Sequence, residues 1–251
     1  MRLDQFLSAR TMYSRRELRQ MISSGSVTVD GAVMKKSDFP VKPEENRVCL
    51  MGEHVPGDTY LYVLLNKPKG YVCSADEPGQ HSVLELIPPA LLRKNLRPVG
   101  RLDKDSTGML LLTDDGQTAH QIISVRSHAA KFYRIVLARP WEDSYAAQIA
   151  SGMVLRDGTQ CMPAQAALVP GTQREALILL REGKYHQVRR MFAAMGNHVE
   201  ELERVAIGGL VLPPDLPLGG CQVLLHKDVQ TSSPSGPLSP SLIGSVRFIW
   251  F

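Results

Sequence analysis

Apolar residues recur at two spacings along this chain, and the spacing sorts it into elements. Leu3, Phe6 and Leu7 fall at helical spacing, as do Leu18, Met21 and Ile22. Ser14 and Glu17 form a capping box, which starts the second helix at Arg15, and Gly25 ends it. Residues 27–33, VTVDGAV, read as strand, Asp-Gly turn, strand. Residues 60–65 and 71–74 read as strands on either side of the turn Asn66-Lys67-Pro68-Lys69-Gly70. Residues 82–94 read as a helix or helix pair broken at Pro88-Pro89. The run 109–113, MLLLT, is long enough for a buried strand and too short for a typical helix. Asp114-Asp115-Gly116 then offers an N-cap for a helix over about 117–125.

In 131–137, KFYRIVL, Phe132, Arg134 and Val136 take one face of a strand, and Lys131, Tyr133, Ile135 and Leu137 the other. A helix over about 142–151 and strands near 161–169 and 176–181 follow. From Tyr185, Val188, Phe192 and Met195 keep helical spacing. Residues 199–207 read as a strand that turns at Gly208-Gly209 into Leu210-Val211-Leu212. Strands and helices mix irregularly, with several hairpin-like pairs. The predicted fold is α+β with a mixed, largely antiparallel sheet. The polar stretch GEHVPGDT at 52–59 marks a domain boundary. The expected units are 1–55, 56–229 and a tail, 230–251, and the composition of the boundary suggests that the first unit moves relative to the second.

A hydrophobic content of 43% supports a real core in a chain of 251 residues. The net charge is only +4, a mild lean towards a polyanionic partner. Cys49, Cys73, Cys161 and Cys221 are widely scattered, with no zinc-ligand spacing, and read as reduced thiols in a cytoplasmic protein. The first residues lack the apolar core of a signal peptide, and no run of about 18 apolar residues would span a membrane. There is no P-loop, no GxGxxG after a strand, no metal cluster and no GxSxG elbow. An enzyme of this sequence should need no cofactor and no metal.

Three stretches carry candidate chemistry. The most informative is 100–116, GRLDKDSTGMLLLTDDG, in which Asp103 lies between Arg101 and Lys104 on a turn-forming loop ahead of a core strand. A second, 181–196, REGKYHQVRRMFAAMG, places His186, Arg189 and Arg190 in the first turns of a helix, where free N–H groups attract anions. His186 is assigned neither as a metal ligand nor as a base. The third lies in the first 55 residues. Arg15, Arg16 and Arg19 on the second helix, with Lys35 and Lys36 after the hairpin, make a compact basic surface suited to RNA phosphates. A solvated charged face would look the same.

SRRELRQMISSGSVTVDGAVMKK resembles the small RNA-binding module, the alpha-L domain, shared by a small-subunit ribosomal protein and many RNA-modifying enzymes. LLNKPKGYVCSADEP, GRLDKDSTGMLLLTDDG, KFYRI and EGKYHQVRRMFAAMGNHVEELERVAIGGL follow it in the order of the RsuA-type pseudouridine synthases, and the resemblance covers residues 1 to about 229. The wording looks most like members acting on small-subunit (16S) ribosomal RNA; the alternatives are the same chemistry on large-subunit (23S) RNA, whose relatives are close, and a non-catalytic ribosome-assembly factor that binds RNA through the same surfaces. The resemblance implies a cofactor-free isomerisation in which uracil leaves its ribose at N1, turns, and rejoins through C5. Asp103 aligns with the family's essential aspartate, Tyr133 with its active-site tyrosine and Arg189 with the arginine expected to pair with Asp103. Leu202 matches an apolar residue of the pocket floor. Arg101 and Lys67 are expected to order the loop and contact the RNA backbone. Base flipping is the implied mode of access. The expected partner is ribosomal RNA, free or in a partly assembled small subunit, bound by a monomer. Residues 230–251 fall outside the family pattern. The first half is Ser/Pro-rich, a disordered linker by composition, and no function is assigned to the tail.

Overall fold

The apolar positions collect into two main cores in a computed structural model of the chain, which describes residues 1–74, 78–123 and 129–230. The first core belongs to the N-terminal residues. Helices α1 (Leu3–Arg10) and α2 (Arg15–Ser23) pack on a small sheet of β1 (Val27–Val29), β2 (Ala32–Val33), β3 (Val48–Leu50) and β4 (Glu53–His54), ordered β2-β1-β3-β4. The capping box forms as predicted. Ser14 Oγ accepts the Glu17 N–H, and the Glu17 carboxylate accepts the Ser14 N–H at 2.7 Å. Asp30 and Gly31 both take positive φ, the backbone that a tight two-residue hairpin turn requires.

The remaining elements are, in order, β5 (Tyr62–Lys67), β6 (Tyr71–Val72), β7 (His81–Ser82), β8 (Arg97–Val99), β9 (Thr107–Thr113), α3 (Gly116–Ile123), β10 (Lys131–Leu137), α4 (Ser144–Ala150), β11 (Gln165–Leu168), β12 (Glu175–Leu180), α5 (Gln187–Ala194), β13 (Val199–Ile207), β14 (Leu210–Val211), β15 (Cys221–Leu224) and α6 (His226–Gln230). Their main sheet runs β11-β12-β10-β13-β9-β5-β15, with β8 beside β9 and β14 beside β13. The β13–β9 pair is parallel, and the other pairings described in this sheet are antiparallel. The fold is thus the predicted α+β. Tyr133, Ile135 and Leu137 of β10 share a core with Leu202 of β13 and with Val188, Met191 and Phe192 of α5. On the opposite face Arg134 pairs with Glu175 at 2.8 Å.

The parallel join explains one glycine. Gly108 faces Arg204 across it, at φ +98°, and a Cβ there would sit 2.4 Å from the Arg204 carbonyl oxygen. Only glycine lets β9 approach β13 this closely.

Several elements differ from expectation. Residues 82–94 hold only two short 3-10 turns, Val83–Leu86 and Pro89–Leu91. Pro89 has no N–H to donate and biases Pro88 away from the helical region, so no α-helix propagates. Within the expected Asp114-Asp115-Gly116 cap, it is Asp115 that caps α3. Its carboxylate accepts the Gln117 and Thr118 amides and the Thr118 and Tyr62 hydroxyls. Asp114 instead pairs with buried Arg93 at 2.9 Å and accepts the Leu61 N–H. The predicted end of α3 at 124–125, residues 75–77 and residues 231–251 of the tail lie outside the described residues. No helix among the described residues is long and apolar enough to cross a membrane.

The 52–59 segment is polar, as read, yet both sides grip it. Arg10 of α1, stacked over Phe6, donates from Nη2 to the Gly57 carbonyl at 2.7 Å. Ala90 packs into the N-terminal core.

Candidate active site

The loop carrying Asp103 is built on buried cations. The Ser106 N–H donates to the Asp103 carbonyl and closes a tight turn over 103–106. Beneath it lies Lys67, fully buried at the end of β5. Its Nζ donates to the carbonyls of Ser106 (2.8 Å), Asp103 (3.0 Å) and Pro68 (3.1 Å), with that of Lys104 at 3.4 Å. An ammonium has three donors, and the three shortest contacts use them. Gly70 N–H takes the Lys104 carbonyl at 2.8 Å. Burial pushes the Lys67 ammonium below its ordinary pKa. Lys67 therefore orders the loop, as expected, but a side chain enclosed by carbonyls does not reach an RNA phosphate, which corrects half of that expectation.

Arg204, absent from the expected site residues, is the second support. It is 1% exposed. Its Nε donates to the Met109 carbonyl at 2.8 Å and its Nη1 to that of Arg101 at 3.3 Å, so it ties both ends of the loop to β13. Cys73 holds the same segment through reciprocal contacts with the Leu102 N–H and carbonyl. Arg101 is exposed on the outer side.

The loop meets the start of α5. His186 Nε2 lies 3.4 Å from Asp103 Oδ1. Arg189 Nη2 lies 2.9 Å from Asp105 Oδ2, an ion pair by distance without hydrogen-bond alignment, and its Nη1 donates to the Val199 carbonyl at 2.7 Å. The expected Asp103–Arg189 pair is thus not formed. Val199 on β13 fixes the guanidinium, and from there Asp105 is the carboxylate it meets. His186 is not in the helix. It is its N-cap residue, with left-handed backbone at φ 47°. Gln187, the next residue, is buried and structural. Its Nε2 donates to the buried Glu182 carboxylate at 2.6 Å, and its Oε1 accepts the Lys184 N–H.

Tyr133 and Leu202, 8% and 5% exposed, belong to the same core cluster as Val188 and as Leu102, the residue before Asp103. Ile135 pairs with Leu202, and Tyr133 with Arg204, across β10 and β13. Lys131, on the same strand face as Tyr133, is held below its ordinary pKa by burial and then by Arg204. The Asp103 side chain remains 29% exposed. A part-exposed carboxylate thus rises from a hydrogen-bonded turn whose Leu102 packs into the same core as an aromatic and a leucine. That arrangement suits chemistry on a planar base presented to a carboxylate.

Arg15, Arg16, Lys35 and Lys36 are exposed. Arg19 is exposed but lies 3.3 Å from buried Asp4, which also takes Arg2, so its charge is partly committed within the fold.

Residues 61–194 match the RNA pseudouridylate synthase family and residues 1–46 match the S4 domain. This chain belongs to the RNA pseudouridylate synthase family and is an isomerase that forms pseudouridine. Ribosomal small subunit pseudouridine synthase A of Escherichia coli K12 is 40% identical over 233 residues, 91% of this chain and 98% of that protein. The protein of the same name from Vibrio cholerae is 39% identical over 230 residues, with the same two shares covered. A crystal structure of a pseudouridylate synthase, 34% identical, superposes with a TM-score of 0.63 over 92% of this chain and 98% of that one.

Proposed function

We propose that this protein converts one uridine of small-subunit ribosomal RNA to pseudouridine, with Asp103 as the catalytic carboxylate. The observation that supports the reading is Asp103, held by its backbone and part-exposed at its side chain, beside Leu102, which shares a core with Tyr133 and Leu202. In the reaction the C1′–N1 bond breaks, a C1′–C5 bond forms, the C5 proton is lost and N1 gains one. No electrons enter or leave. The ionised Asp103 carboxylate acts on the target nucleotide, while Tyr133 packs against its base and Leu202 floors the pocket. Arg189 is assigned to the site through Asp105, and Arg101 to the RNA-facing rim. The uridine is flipped out of its surroundings, at an unstacking cost of a few kcal/mol.

Residues 1–55 form the RNA-binding unit and 56–229 the catalytic unit. Arg15, Arg16, Lys35 and Lys36 supply affinity and position, with Arg19 in support, and no part in the chemistry. The protein acts as a monomer on rRNA, free or in a partly assembled small subunit. The test is a carbodiimide map of pseudouridine in small-subunit rRNA treated with wild type and with Asp103→Asn. One new site with wild type and none with the variant, at unchanged RNA affinity, is expected. Full turnover by Asp103→Asn would overturn the assignment of the carboxylate. A new site only in large-subunit RNA would overturn the substrate.

A further inference from the structure

Beside Asp103 the chain exposes an aromatic pair that the proposed chemistry does not use. Tyr185 is 76% exposed, a large ring left in solvent. It stacks on His186, with centroids 4.0 Å apart and planes 14° from parallel. His186 reaches Asp103 Oδ1 at 3.4 Å, so the stack begins one side chain from the carboxylate. His186 also holds left-handed backbone at φ 47°, a conformation that strains a non-glycine residue. Strain of this kind tends to persist where it places a group for use.

Next to the pair is a recess of about 310 Å³ lined by Arg156, Asp157, Tyr185, Arg190 and Ala193. Arg190 Nη1 donates to the Tyr185 carbonyl at 3.1 Å, and its Nη2 pairs with Asp157 and reaches Thr159 Oγ1. Arg156 Nη2 donates to the Ala193 carbonyl at 2.8 Å. Arg190 thus braces the stack and neutralises the one carboxylate of the recess, and Arg156 supplies a further positive charge. An open aromatic face beside guanidinium groups is the chemistry that binds an unstacked nucleotide.

We propose that Tyr185, backed by His186 and the Arg156–Arg190 recess, is a second base-binding subsite that stacks the nucleotide adjacent to the flipped uridine. The subsite rests on the reading of Asp103 as the residue that meets the target. A flipped base separates from its neighbour, and that neighbour loses a stacking partner close to Asp103. Tyr185 replaces it, so Tyr185 is a positioning residue.

The test compares wild type, Tyr185→Phe and Tyr185→Leu on a small-subunit rRNA fragment containing the mapped uridine. The fragment is intact, or abasic at the nucleotide immediately 5′ or 3′ of the target. Tyr185→Leu should lower kcat/KM on intact RNA roughly 5- to 160-fold, the loss of one base–aromatic stack, mainly through KM. Tyr185→Phe should stay near wild type. One of the two abasic RNAs should cost wild type a similar factor and cost Tyr185→Leu nothing further. Losses that multiply at both positions, or an unaffected Tyr185→Leu, would overturn the subsite. A binding measurement separates this from the substrate assignment. The trinucleotide UpUpU should bind Tyr185→Leu at least 5-fold more weakly than wild type, and the fully abasic trinucleotide equally to both. That result with no turnover of the fragment would reject the small-subunit substrate and keep the subsite. Equal UpUpU affinities would reject the subsite whatever the fragment shows.

Discussion

Replacing Lys67 by Met separates a structural cation from an RNA-binding one. The ammonium is fully buried and donates to three carbonyls at 2.8–3.1 Å. Hydrogen bonds from a charged donor contribute about 1.5–3 kcal/mol each, against a desolvation cost of several kcal/mol for burying the charge. Methionine removes both sides of that balance but leaves the three carbonyls facing an apolar side chain. The Asp103 carbonyl keeps the Ser106 N–H, so two acceptors lose their donor; at about 1–3 kcal/mol for each that water does not reach, the cost is about 2–6 kcal/mol, taken here as about 3 kcal/mol. For a chain of this size that lowers Tm by about 6–12 °C. The freed turn would also displace Asp103, and about 1 Å of displacement can cost roughly 100-fold in turnover. The assays are thermal unfolding by circular dichroism and single-turnover pseudouridine formation. Lys67→Arg should fail similarly, because a planar fork does not converge on a cluster of carbonyls as a point ammonium does. A phosphate-binding lysine behaves otherwise: loss of it leaves Tm in place and reduces the salt slope of RNA binding by about one. That pattern would refute the structural role.

Gly108→Ala forces a side chain into left-handed backbone and against the Arg204 carbonyl. A loss of at least about 2–4 kcal/mol in urea unfolding is expected, and less than 1 would mean that the β9–β13 join gives way easily. Asp115 carries a pH signature. Burial raises its carboxyl, but hydrogen bonds from Thr118, Tyr62 and the Gln117 amide more than offset this and hold it below its ordinary range. Its contribution is therefore complete above the unfolded value of about 3.9 and is lost as pH falls through the lower folded value. Asp115→Asn should flatten the acid limb of stability below about pH 4 and cost about 1–2 kcal/mol at neutrality; an unchanged limb would contradict the assignment. Arg10→Ala removes the clasp on Gly57 and should raise hydrogen exchange across 52–59. Unchanged protection there would mean that the N-terminal unit is held by its apolar contacts alone.

Local signals were the legible ones. The Ser14–Glu17 box, the Asp30-Gly31 hairpin and the alternation of residues 131–137 each depend on neighbours within a few positions, and each forms as read. Asp103 could be singled out because the sequence marks its turn and the strand behind it. The supports of that turn come from far along the chain. Lys67 sits in a polar Pro/Gly turn that reads as exposed, yet β5 pairing with β9 sets it opposite Gly108 and encloses it. Arg204 acts through the parallel β9–β13 join, a contact across 95 positions that periodicity does not report. Arg189 meets Asp105 because Val199 holds its other nitrogen, a choice between nearby carboxylates that the spacing of the chain leaves open. The left-handed backbone of His186 interrupts what reads as helix from Tyr185, and so hid an exposed aromatic stack inside an apparently regular element.

The two buried cations also explain why a rigid loop can present an open carboxylate. Lys67 and Arg204 together take the carbonyls of Pro68, Arg101, Asp103, Ser106 and Met109, and Gly70 takes that of Lys104. Backbone oxygens that would otherwise need water are turned inward and satisfied. The side chains of Arg101, Asp103, Lys104 and Asp105 are left on the outer side, exposed or part-exposed. Fixing the turn through its main chain leaves the Asp103 carboxylate outside the network that holds it, with His186 at 3.4 Å. Had side-chain hydrogen bonds anchored the loop, its carboxylates would be spent on structure, as those of Asp114 and Asp115 are one strand later. A loop that presents a carboxylate to a bound molecule needs rigidity and an open head group together, and buried cations under the backbone supply both.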